Sequence, residues 1–169
     1  MENMWNLDDE IQDIKPANEL IQMQCEKLAE LTDYRVLARI SEYKENDFRS
    51  YTITPEFSGL KIFDEKKIDP QNSLGENGDD GDFVYEFYIT SKRTPKYKYR
   101  LCFIYFSITL YPVGITIDKS IASSAGLEDT ELEIETEDAF EELLGRILSC
   151  KKVTSIIKNL LNINKESIF

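Results

Sequence analysis

The densest run of ionisable side chains, residues 127–142 (LEDTELEIETEDAFEE), places Glu131, Glu133 and Glu135 at alternate positions and adds Glu141 and Glu142 soon after. Carboxylates this close can act as acid and base or hold magnesium, but either role needs a pocket that converges them. Alternate positions on a strand point to one face. The three glutamates therefore read as a row of negative charge, extended by the helix that follows. Such a row suits docking of a basic protein partner through steering and complementarity. Glu131, Glu133, Glu135, Glu141 and Glu142 are the residues expected to bind that partner, and no residue is expected to be catalytic.

Three further clusters carry the right residue types at the wrong spacing. Loop 75–82, GENGDDGD, has the composition of a calcium turn. An EF-hand, however, requires carboxylates at alternate positions, a central glycine and a closing glutamate. Counting from Asp69 or from Asn77 gives no such pattern, so the loop is expected to be solvated and metal-free. Asp82, Glu86 and Lys92 supply a nuclease-like carboxylate and lysine set, yet the lysine should stand two residues after the glutamate, where Tyr88 is found. Lys92, Arg93, Lys96, Lys98 and Arg100, beside Tyr97 and Tyr99, have the composition of a single-strand nucleic-acid track. The rest of the chain sets 15 basic residues against 32 acidic ones, which opposes phosphate, so no nucleic acid is expected.

Composition narrows the classes further. The chain has no histidine, which removes the commonest general base and the usual partner of a serine or cysteine nucleophile. Cys25, Cys102 and Cys150 are far apart, with no CxxC pair, and read as small buried hydrophobes of a reducing compartment. No cofactor is implied. A net charge of −12 repels anionic lipid and favours encounter with basic partners. The longest apolar stretch, 101–117, is broken by Ser107, Thr109, Pro112, Gly114 and Thr116, short of the ~20 apolar residues of a membrane helix. The first residues carry acid and no basic leader, so a cytoplasmic location is expected.

The elements that must position these residues follow from periodicity. At 169 residues, one domain spanning 1–169 is expected, with 1–16 loosely attached and 64–82 a surface loop. Trp5, Leu7, Ile11 and Ile14 would form one face of a short helix ended by Pro16. Residues 18–31 carry a helical stripe of Leu20, Gln24, Leu28 and Leu31, with Ile21 and Met23 beside it and Asn18 as N-cap. Tyr34, Val36, Ala38 and Ile40 then alternate as a strand, with a turn at 44–47 leading to a partner at 49–54 and a short strand at 58–63. Phe83, Tyr85, Phe87 and Ile89 form the inner side of another strand.

The strand 97–110 is read as apolar on both faces, hence covered twice: Leu101, Phe103 and Tyr105 on one, Cys102, Ile104 and Phe106 on the other. Residues 111–114 (YPVG) suggest a type I turn into a hairpin at 115–118. Ser123 to Gly126 break the pattern, Leu132 and Ile134 point inward, and Thr136 caps a helix with Phe140, Leu143, Leu144, Ile147 and Leu148 inward. Ser149 is expected to open a last helix whose stripe is Val153, Ile156, Ile157, Leu160 and Leu161.

These elements predict an α+β fold: an antiparallel β-meander of five to six strands, with an N-terminal helix and two C-terminal helices packed on it. The small, acidic, helix-on-sheet design is similar in general character to bacterial toxin-immunity and other inhibitor proteins. The function expected is therefore a non-catalytic acidic module that binds a more basic protein. Two alternatives are a structural subunit using strand 101–110 as an apolar interface and a metal-dependent Asp/Glu enzyme.

Overall fold

The structure is a computed structural model that describes residues 1–6, 13–43 and 82–163. The element order is α1 (Ala17–Leu31), β1 (Val36–Glu42), β2 (Asp82–Ser91), β3 (Tyr99–Ser107), β4 (Val113–Ile117), α2 (Lys119–Ser124), β5 (Glu131–Ile134), α3 (Glu137–Ser149) and α4 (Lys151–Ile163). The five strands form one antiparallel sheet in the order β1-β2-β3-β4-β5. With the helices flanking the sheet in sequence, this is the α+β meander that the periodicity predicts.

One face of the sheet carries the core. Val36, Phe87, Ile89, Ile104, Phe106, Val113, Ile115 and Ile117 are buried there beneath Ile21, Cys25, Phe140, Leu144, Ile147, Val153 and Leu160 of the helices. The two-faced apolar pattern of 101–110 has a different origin from double covering. Phe87 pairs with Cys102 but Tyr88 pairs with Arg100, so Leu101 is an extra, bulged residue. Its carbonyl accepts from Asp118 N, one residue past the end of β4, at 2.9 Å. The bulge shifts the alternation by one, so Leu101 and Cys102 are both buried on the helix side. Phe103 and Tyr105 lie on the other side, where no described helix covers them.

Several local expectations are corrected. Asn18 is not the cap of α1: Pro16 is, its carbonyl accepting from Glu19 N and Leu20 N. The sheet-facing residues of α1 are Ala17, Ile21, Cys25 and Ala29, at successive fourth positions, together with Leu20. Three of these are small and let the helix approach β1 closely, while Leu31 is 84% exposed. Tyr34 is not in β1. With Asp33 it takes positive φ in the turn, and Thr32 Oγ1 ties that turn together by donating to Leu28 O and accepting from Val36 N.

The β3–β4 connection turns earlier than expected. Leu110 N donates to Ser107 O, closing a turn at 107–110, and Gly114 already lies within β4. The Tyr111–Pro112 peptide is cis. Residues 119–124 form a short helix that runs into the expected break at 123–126, capped by the Asp118 carboxylate on Ile121 N at 3.2 Å. Ser149 ends α3 and does not open α4; its hydroxyl donates back to Gly145 O at 2.7 Å.

The Thr136 cap and the inward residues of β5, α3 and α4 agree with expectation: Thr136 Oγ1 accepts from Ala139 N at 3.2 Å. The segment before α1 is anchored at its end, because Lys15 N donates to Glu137 Oε2 and Tyr111 Oη donates to Lys15 O. Residues 7–12, which bear part of the expected first helix, lie outside the described residues, as do the expected turn and strands at 44–63 and all of the expected loop 64–82 except Asp82, which opens β2. Among the described residues no helix is long and apolar enough to cross a membrane.

Candidate partner-binding groove

The topology divides the five expected binding glutamates between two sides of the molecule. β5 is an edge strand whose Leu132 and Ile134 pack toward the core, so Glu131 and Glu133 project from the face away from the helices. Glu135 follows the strand and is exposed. Glu141 and Glu142 stand on the solvent side of α3, whose Phe140, Leu143, Leu144 and Ile147 pack into the core. The acidic row is thus not one surface.

On the sheet side, strand register lines up Ser41, Glu86, Phe103, Thr116 and Glu131 across all five strands. Glu86 is the buried centre of this row. It accepts from Lys98 Nζ and Arg100 Nε, each at 2.7 Å, and Lys98 also sits 4.2 Å from the Tyr88 ring centroid. Burial pushes the Glu86 carboxyl up, but the hydrogen bonds and charges of Lys98 and Arg100 outweigh burial and hold it below its ordinary value. Lys98 and Arg100, two members of the expected basic track, are therefore committed to a carboxylate of their own chain. Beside this row the Tyr105 ring lies over Gly114, where a Cβ would fall 1.9 Å from a ring carbon. Burial, then Glu131 and Glu133, raises the Tyr105 phenol above its usual value.

The helical side is built differently. Of the stripe expected on α1, Leu20 is buried in the core and also borders a groove, while Met23, Gln24, Leu28 and Leu31 form the wall of that groove and its pocket and not the sheet-facing side. Between α1 and α3 the groove encloses about 610 Å³, lined by Leu20, Met23, Leu144, Gly145 and Leu148, with Gln24, Lys27, Glu141 and Ser149 as polar members. It shares Gln24, Lys27 and Leu148 with a deeper pocket of about 240 Å³ between α1 and α4. That pocket is apolar, with Phe87, Ile89 and Leu101 of the sheet beneath Leu28, Leu31, Val153 and Ile157. The bulge that turns Leu101 inward therefore also shapes its floor.

Among the described residues, neither Lys27 nor Glu141 has a hydrogen-bond or ion-pair partner. The field around the start of α3 is negative. Burial, then Glu137 and Glu141, pushes the Tyr111 phenol up to about 12. Periodicity could find the apolar residues of this groove but not that they are left facing one another across open space.

Chemistry at either surface is limited. Cys25 and Cys102 are buried, and burial pushes each thiol up to about 12, which disfavours the reactive thiolate. Among the described residues no three of Cys, Asp and Glu are grouped to hold a metal ion. Asp118, bonded by Tyr99, Ser120 and Ile121 N, is occupied as the cap of α2. What the geometry offers is an apolar groove rimmed by Glu141 on α3 and Lys27 on α1. No protein-family model matches this chain, and no curated protein or solved structure matches it either.

Proposed function

We propose that this chain is a non-catalytic protein-binding module that docks a more basic protein, of the inhibitor or immunity kind, through the α1–α3 groove. The observation that carries the reading is Glu141 on the rim of an apolar groove with Glu142 beside it on α3. Interfaces draw affinity from a desolvated apolar centre and steering from charges around it. Glu141 and Glu142 have that centre next to them. Glu131 and Glu133 lie instead beside Tyr105 on the outer sheet face, where among the described residues no groove is formed and Glu86 is already neutralised by Lys98 and Arg100. The net charge of −12 favours a basic partner. Three unpaired, buried cysteines fit a reducing, cytoplasmic setting.

The subunit alternative would have to use the outer face of β3, with Phe103 and Tyr105, because Leu101, Cys102, Ile104 and Phe106 are buried in this chain's own core. Capture of the partner from the native host, followed by association kinetics, tests the proposal. Glu141→Gln combined with Glu142→Gln should slow association several-fold at low ionic strength and flatten its salt dependence, with dissociation changing less. Glu131→Gln, Glu133→Gln and Glu135→Gln together should have the smaller effect. A larger effect from the strand row would move the docking site to β5. No effect from either set, or a partner that is not basic, would remove the proposal.

A further inference from the structure

We infer that the occupant of the groove is a basic amphipathic α-helix of the partner, lying along α1, crossing α3 at Gly145 and inserting one large apolar side chain into the deeper pocket. The inference rests on the reading above that this chain docks a basic protein.

Gly145 is its first support. It stands in the interior of α3, where glycine weakens a helix relative to alanine. Nothing lies within 4 Å of where its Cβ would be, so no neighbour in the fold requires a glycine there. The space over it is the groove itself. A glycine whose absent side chain serves no internal packing fits a site where a second backbone comes close.

Dimensions and charge give the second and third supports. From Leu20 to Leu31 the wall of α1 is about 16 Å long, or three helical turns. The deeper pocket, about 240 Å³, suits one leucine or aromatic side chain, since a cavity of about 150 Å³ already holds a benzene ring. Its walls are side chains of α1 and α4 and of the inner sheet face, including Ala38 of the outer strand β1. The α3 rim carries Glu141, with Asp138 and Glu142 exposed on the same helix, against Lys27 on the α1 rim. That asymmetry asks for lysine or arginine along the side of the ligand helix that faces α3. A second copy of this chain fits less well, because two molecules of net charge −12 repel.

The probe is a labelled peptide of about 18 residues, long enough to be helical, with a leucine stripe, one tryptophan on that stripe and lysines elsewhere. Its control has the same composition with a central proline, which breaks the helix. Fluorescence anisotropy should show the helical peptide binding about tenfold more tightly than the control, and Gly145→Leu and Leu31→Lys should each weaken it about tenfold. Gly145→Leu should unfold at or above the parent's midpoint, since it adds a better helix former in open space. The loss would then report the groove and not the fold.

Equal binding of both peptides that is lost with Glu141→Gln would overturn the helix while leaving the basic-partner reading in place. Binding untouched by Gly145→Leu would overturn the groove as the site. Binding untouched by Glu141→Gln and by salt would remove the underlying reading as well. A parent that sediments as a dimer, with Gly145→Leu monomeric, would make a second copy the occupant and overturn the inference.

Discussion

Phe140→Ala is expected to destabilise the protein by about 3–5 kcal/mol, the range for deleting a buried aromatic ring. Phe140 is 1% exposed and belongs to the core shared by the sheet and the helices, so its loss leaves a cavity that rigid neighbours fill poorly. It lies in the first turn of α3, next to the Thr136 cap, and fixes where that helix leaves β5. Urea unfolding should show a lower midpoint with unchanged slope. Leu31→Ala is the matched control: at 84% exposure it should change stability by no more than about 0.5 kcal/mol. A loss near zero for Phe140→Ala would mean that α3 is not cemented to the core as described.

Phe140 also shows why part of this fold is legible from sequence. Its helix is announced by a cap, acidic residues in the first turn and a 3.6-residue apolar stripe, all of them local signals, and β5 is announced by strict alternation. The bulge at Leu101 is not legible, because the pattern that it produces, apolar on both parities, is equally that of a doubly covered strand. The orientation of α1 is not legible for a related reason. Its largest residues suggest the buried stripe, yet close packing on β1 is made by Ala17, Cys25 and Ala29. The division of the glutamates has a topological cause: Glu135 and Thr136 carry the chain from the sheet to the helical layer, so residues adjacent in sequence end on opposite sides. The groove between α1 and α3 and its deeper pocket are tertiary objects, the pocket formed because α1 and α4 leave space above Phe87 and Leu101.

Glu86→Gln is expected to have the second largest effect, a loss of about 1–3 kcal/mol at neutral pH. A fully buried pair broken on one side costs about 3–5 kcal/mol. Here Lys98 and Arg100 keep 35% and 49% exposure, so water solvates them once the carboxylate is gone and the cost is smaller. The carboxyl is held below its ordinary 4.5 in the folded state, so the folded form releases this proton more readily than the unfolded chain. Its contribution is therefore complete above the unfolded value and is lost as pH falls from 4.5 through the lower folded value. The parent should lose stability through that acid window more steeply than Glu86→Gln, and the two curves should converge below it. Parallel curves would show that the two ion pairs contribute nothing measurable.

The central claim is that a basic partner is held on the helical side, over the groove between α1 and α3. Amide hydrogen exchange of the complex with the captured partner tests it most directly, because protection reports which backbone segments are covered or stiffened. The account predicts added protection in Leu20–Leu31 and Glu141–Ser149, with β5 and its row of glutamates exchanging as in the free protein. Protection confined to Glu131–Ile134 and the neighbouring sheet face, with α1 and α3 unchanged, would contradict it.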